Sequence, residues 1–252
     1  MATTTIYVAD DRRGTINAGL GFTDWDELLT ETEGDTMTTG SITQNQFATR
    51  AAAIVGRGST QYRLGRFFAW FDVSSLTSSN AITNAVLKIS GRAVVNNGSI
   101  GIYESTAFSE DGSAGLETTD LNNFDSGTAY SSTQYGSPGY SSWVTGNTSL
   151  NSFTLNSTAI ADMNSNGYLN MAGLNIYYDA DEEETPTTDN YLGINQWTAA
   201  GTNNTYRPQL FITYIPIATA WGDKMNGVLS NSANKYNGRL SSSINKINDA
   251  TG

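Results

Sequence analysis

The chain has no cysteine and no histidine among its 252 residues. Without thiols there is no disulfide framework, and nothing ties the chain to an oxidising compartment. Without imidazole the commonest general base is missing, together with the usual catalytic triads and most zinc sites. Charged residues are few, at 15%, and the basic ones are the scarcer sign: 13 Lys and Arg face 24 Asp and Glu, a net charge of −11. Nucleic acid is therefore not an expected partner, because phosphate attraction needs a basic face. No apolar run approaches the ~18 residues of a membrane-spanning helix. The N-terminal stretch also lacks the apolar core of a secretion signal.

What the chain does contain is Ser, Thr, Asn and Gly interleaved with short apolar segments. The most conspicuous is GRFFAWFDVSSL, Gly65–Leu76, in which Phe67, Phe68, Ala69, Trp70, Phe71 and Val73 put apolar side chains on both faces of an extended segment. Only a strand buried between two layers tolerates that pattern. Its counterpart near the other end is Tyr206–Tyr214, YRPQLFITY, where Leu210, Ile212 and Tyr214 alternate with Gln209, Phe211 and Thr213. Between these two, Asp72 with Ser74 and Ser75 closes the first strand with side chains able to bond the next turn's backbone. Leu76 and Ile82 then re-enter the core.

Further strands are expected at residues 4–9, Phe47–Val55, Ala85–Ser90, Phe153–Leu155, Leu169–Tyr178 and Tyr191–Ile194. Trp25, Leu28 and Leu29 fit one side of a short helix, and Ser157–Asn164 fits a single helical turn. Asn96-Asn97-Gly98 signals a turn, with Ser99–Tyr103 returning as the second arm of a hairpin. Residues 105–150 are weakly patterned, and a loop of that length carries function or folds over an edge. The sum is an all-β protein: an antiparallel jelly-roll β-sandwich over residues 1–216, followed by a C-terminal repeat-containing arm, 217–252.

That arm differs in charge from the body. Residues 1–216 hold nine basic against 22 acidic residues, and 217–252 hold four against two. It also repeats. KMNGVLSNSAN, 224–234, is followed by KYNGRLSSSIN, 235–245, a period of 11. Met225, Leu229, Ala233, Tyr236, Leu240, Ile244 and Ile247 fall at spacings of four and three, a stripe that in a helix favours a right-handed supercoil. Gly227 and Gly238 each cost about 1 kcal/mol inside a helix, and the two Asn-Gly pairs are turn signals, so a turn-rich extended arm is the alternative. In either form the stripe requires a covering surface, and these seven residues are the candidates for docking on a partner.

FAWFDVSSLTSSNAITNAVLKISG resembles the "FDlSsLp…ItsAtLrl" segment of DNRLRE-type jelly-roll domains, a group similar to carbohydrate-binding modules. The closing YRPQLFITY resembles their terminal "RPrLvVtY" strand. The stretch IYYDADEEETPTTDNYLGINQW is similar to versions found in bacteriophage virion proteins, and the Lys-x-Asn-Gly repeats resemble tails of phage structural proteins. The resemblance implies a non-enzymatic structural protein of the virion, displayed on its surface as a capsid decoration, head fibre or tail-associated part. It would be made in a host cytoplasm, homo-oligomeric, and docked on other virion proteins through its arm. The alternative is a carbohydrate-binding adhesion module that grips cell-surface glycan.

Chemistry at the level of single residues is thin. No Gly-x-Ser-x-Gly elbow is present, and a serine nucleophile would have no histidine beside it. Aromatic rings able to stack on sugars make Trp197, Trp143 and Tyr140 the glycan-contact candidates. Asp179, Asp181 and Glu183, in an acidic run, are candidate ligands for calcium, which takes six to eight oxygens; no other cofactor is expected.

Overall fold

The structure is a computed structural model that describes residues 1–39, 47–56, 58–96, 98–124, 132–136, 143–145, 150–181, 184–194 and 206–217, together with four two-residue strands between 224 and 240. Twelve strands form one curled, mostly antiparallel sheet: β1 Ala2–Tyr7, β2 Arg13–Ala18, β3 Thr36–Thr39, β4 Phe47–Val55, β5 Thr60–Asp72, β6 Asn80–Val95, β7 Gly101–Glu104, β8 Gln134–Gly136, β9 Leu150–Thr154, β10 Tyr168–Leu174, β11 Asp189–Ile194 and β12 Gln209–Pro216. Three short α-helices interrupt them among the described residues, α1 Trp25–Leu29, α2 Ser74–Thr77 and α3 Ser157–Asn166. Among the described residues no helix is long and apolar enough to cross a membrane.

The sheet is organised along β5. Its first half, Thr60–Gly65, pairs with β4, its second half, Phe67–Asp72, with β10, and β2 runs along residues 64–69. Both faces of β5 are buried because each meets a separate core. Phe67, Ala69 and Phe71 point into one cluster with Ala85, Leu87 and Ile89 of β6, Leu169 and Met171 of β10, and Leu210 and Ile212 of β12. Phe68 and Leu64 point the other way, onto Ile16, Ala172, Leu174 and the α1 residues Trp25, Leu28 and Leu29. The strand read as a two-faced apolar segment is therefore the partition between two cores.

The weakly patterned stretch after β7 supplies much of the second core. Ala107, Phe108, Leu116, Leu121 and Phe124 fold back over β5 and β10 and close that face from water. The chain turns through three successive left-handed residues there, Phe108, Ser109 and Glu110, with φ of 61°, 54° and 62°. Their carbonyl surroundings are pinned by two side chains of the sheet: Asn170 donates to the carbonyls of Ala107 (2.5 Å) and Glu110 (3.1 Å), and Trp70 Nε1 donates to that of Glu110 (3.2 Å).

Several local expectations hold at the residue level. Asp72 Oδ1 accepts from both the backbone N–H and the hydroxyl of Ser74, at 2.9 and 2.6 Å, and so starts α2. Asn156 caps α3 by accepting from Ala159 N–H, and Gly167 ends it at φ +78°. That helix is longer than the single turn expected, because Ala159 and Met163 bury against the sheet.

The expected hairpin after residue 95 does not form. Gly98 N–H does bond the Val95 carbonyl, but the two arms then separate. Val94 and Val95 pair with β11, whereas β7 pairs with β10 and β8. The turn signal fixes a local reversal only; the burial of Ile100 and Ile102 in the first core carries the returning chain across to β10. The extension of the β10 segment to Tyr178 is also corrected. The strand stops at Leu174, and Ile176–Ala180 winds into a π-helical turn started by the Asn175 side chain.

Candidate functional site

Two of the hollows at the surface of this scaffold are lined by described residues. The larger, about 330 Å³, opens where the ends of β2 and β3 meet β4 and β5; Asn17, Ala18, Leu20, Asp35, Thr36, Arg50, Arg63 and Leu64 line it. Alternation along the strands sets its chemistry. Ile16 and Leu64 point into the second core, so their neighbours Asn17 and Arg63 point to the opposite face, as Gly65 does. Gly65 has no side chain, and a Cβ there would lie 2.9 Å from Asn17 Oδ1 and 3.2 Å from Arg50 Cβ, so these two residues close over the glycine.

The polar groups of this hollow are unequally committed. Arg50 is held by both oxygens of Asp189, with Nε–Oδ1 2.9 Å and Nη2–Oδ2 2.8 Å, a bidentate geometry that locks the guanidinium. Asp35 accepts the Leu20 backbone N–H at 2.7 Å through one oxygen. Arg63 and Asn17, both half-buried, have no side-chain hydrogen bond or ion pair among the described residues. A guanidinium and an amide therefore face the same space with donors to spare.

The smaller hollow, about 30 Å³, lies among Glu104, Glu110, Tyr135, Asp162, Tyr168 and Asn170. Tyr135 donates to Asp162 at 2.8 Å. Burial, then that bond and the nearby Glu104, push its phenol well above the ordinary tyrosine value. The Tyr168 phenol is raised as well, by burial first and then by the charge of Glu110. The Oδ1 of Asn170 is buried without a partner, and a space of this size suits one water molecule.

The residues singled out from the sequence are placed as follows. Asp179 is not in a solvated acidic loop. It is fully buried and holds Arg66, also fully buried, with Nη2–Oδ1 2.6 Å and Nε–Oδ2 2.9 Å. Arg66 uses its remaining donors on the Leu121 carbonyl (2.8 Å) and Asn122 (3.1 Å), and lies 5.5 Å from the Phe124 ring centre. The lone pairs offered to calcium are thus already occupied. Asp181 is exposed just beyond the π turn, Glu183 lies outside the described residues, and no group of three or more acidic side chains among the described residues is arranged to hold a metal ion.

Trp143 is partly buried against the first core, edge-on to Phe153 with ring centres 6.5 Å apart. Trp197 and Tyr140 lie outside the described residues, as do Ala233, Ile244 and Ile247 of the apolar stripe. Met225, Leu229, Tyr236 and Leu240 fall in the two-residue strands. Lys224–Met225 pairs with Val228–Leu229, and Lys235–Tyr236 with Arg239–Leu240, in the same register 11 residues apart. In the sequence each ladder flanks an Asn-Gly pair.

Reading the sequence missed both the Arg66–Asp179 pair and the Arg63 hollow. The first had a signal, a cation set inside an apolar run, which demands a buried partner. The second had Gly65 between Arg63 and Arg66, three positions apart, a weaker sign of open space beside a strand. No protein-family model matches the chain, and no curated protein matches it.

Proposed function

We propose that the protein is a non-enzymatic structural component of a bacteriophage virion: a jelly-roll body displayed on the particle surface and docked on other virion proteins through residues 217–252. The observation that carries this reading is the repeated tail. Two Lys-x-Asn-Gly-x-Leu units in identical register, with apolar residues and a positive charge balance, follow a body with 22 acidic against nine basic residues. Repeated short ladders with two or so residues per strand are too small to be stable alone, so they take their stability from a covering surface. An acidic neighbour or a second copy's acidic body supplies the complementary charge. The resemblance of FAWFDVSSLTSSNAITNAVLKISG and YRPQLFITY to DNRLRE-type domains supports the jelly-roll topology and the virion setting.

The test is deletion of 217–252 in a phage that encodes the protein. The truncated chain is expected to fold, with unfolding midpoint close to that of the full chain, and to be missing from purified particles. Normal incorporation of the truncated chain would overturn the docking role.

A second reading, a carbohydrate-binding adhesion module in a receptor-binding fibre or a secreted glycan binder, is favoured by one observation: the polar 330 Å³ hollow with uncommitted Arg63 and Asn17. A glycan array run on the intact protein separates it from a purely structural role, and the two roles are compatible.

A further inference from the structure

We propose that the hollow beside Gly65 binds a carboxylate-bearing sugar, the ring of an acidic saccharide, with Arg63 as the partner of the carboxylate. The proposal gives the second reading a ligand and a site, and it does not depend on the virion reading.

Four features select this chemistry. First, on a chain of net charge −11, this hollow brings two arginines together, and only one of them is already ion-paired. Arg63, half-buried and without a polar partner among the described residues, presents a planar fork of donors that matches a carboxylate bidentately. Second, the other groups are acceptors and donors suited to hydroxyls: the amide of Asn17, the hydroxyl of Thr36 and the second oxygen of Asp35. Third, the Asp35 carboxylate penalises a doubly charged ligand, so a phosphate is a poorer fit than a singly charged carboxylate with neutral hydroxyls around it. Fourth, among the described residues no aromatic ring lines the space, so a neutral sugar lacks the stacking surface on which such ligands depend. Apolar contact is limited to Leu20, 63% exposed at the rim, because the side chains of Ala18 and Leu64 are buried in the second core.

The volume, about 330 Å³, is at the small end of the range for small-molecule sites and admits one ring fully, with the rest of a chain continuing into solvent. The pre-formed position of Arg50, fixed on Asp189, keeps the far wall in place whether or not the ligand is present.

The experiment is a heteronuclear NMR titration of the full 252-residue chain with D-glucuronate, a uronic-acid trisaccharide, D-glucose and inorganic phosphate. Glucuronate is expected to give saturable shifts at the amides of Asn17, Leu20, Thr36 and Arg63, tighter for the trisaccharide. Glucose at equal concentration is expected to bind at least about tenfold more weakly, since it lacks the charge-assisted pair. Arg63→Gln is expected to weaken glucuronate by about tenfold and Arg63→Lys by less, because lysine keeps the charge but not the fork. Asn17→Ser provides an arm that leaves the charge intact, with a loss of a few fold. No saturable shift at these amides, equal binding of glucose, tighter binding of phosphate, or unchanged affinity in Arg63→Gln would each overturn the proposal. A neutral glycan bound elsewhere on the protein, with no glucuronate shift at these amides, would overturn it too, while sparing the adhesion reading.

Discussion

Arg66 and Asp179, 113 positions apart in sequence, meet as an ion pair with both side chains fully excluded from water. The pair joins the centre of β5 to the π-helical turn after β10, and the guanidinium also grips the carbonyl of Leu121 in the covering loop. Three segments distant in sequence are thus fixed at one point in the second core. Removing one partner strands the other charge. Asp179→Ala or Arg66→Ala is expected to cost about 3–5 kcal/mol, and replacing both by apolar residues of similar volume to cost less than either alone. Denaturant unfolding of the two single variants and the double variant measures the difference; equal losses in all three would mean the pair is not the cause.

Arg13 is the opposite case. Its side chain is buried, yet only Nη2 is bonded, to Asp10 at 2.6 Å, while Nε and Nη1 have no partner. Arg207 shares the same carboxylate at 3.2 Å. Burial, outweighing the pull of Asp10, holds the guanidinium down to about 10. Its charged form is disfavoured in the fold, so Arg13→Met is expected to be neutral or to stabilise by up to about 1 kcal/mol, since Asp10 keeps Arg207. A loss above about 2 kcal/mol in thermal unfolding would show the guanidinium to be better satisfied than its contacts indicate.

Alkaline pH sets these groups against each other. Burial raises the phenols of Tyr135, Tyr168 and Tyr191 above the usual 10. The folded chain therefore holds these protons more tightly than the unfolded chain, and stability is lost as pH climbs beyond about 10. Arg13 acts in the reverse sense above about 10, where the unfolded chain binds the extra proton. Unfolding free energy measured across this window is expected to fall, more gently in Tyr135→Phe and more steeply in Arg13→Met.

Ser109 is exposed and left-handed at φ 54°, between two further left-handed residues. Glycine adopts this conformation without the Cβ clash. Ser109→Gly is expected to stabilise by up to about 1 kcal/mol, whereas the usual glycine substitution at an exposed site destabilises. Asn170→Leu, which removes the clamp on the Ala107 and Glu110 carbonyls, is expected to cost about 1–3 kcal/mol. Proteolysis of the loop under native conditions reports both effects.

The helix α3 offers a local test. Asn156 both caps it and donates to the Gln134 carbonyl of β8 at 2.6 Å. Asn156→Ala is expected to cost about 1–2 kcal/mol, at the upper end for a cap because a strand contact goes with it. Asn156→Asp keeps the cap and loses only the amide donor, so it is expected to lie between.

How much of this was written in the chain itself varies with the range of the interaction. Alternation and two-faced apolarity located β4 at Phe47–Val55 and the buried β5, and the Asp72–Ser74 bond and the Trp25, Leu28, Leu29 stripe were readable from neighbours in sequence. These depend on residues within a few positions of one another, where backbone geometry converts residue type into conformation directly. Which strand β7 joins, why Asp179 lies beneath the surface on Arg66, and where Arg63 and Asn17 face an open hollow all depend on segments far apart along the chain. Many arrangements bury the same apolar residues, so only the three-dimensional packing selects the partners, and the space left between them is a property of that packing and of no single segment.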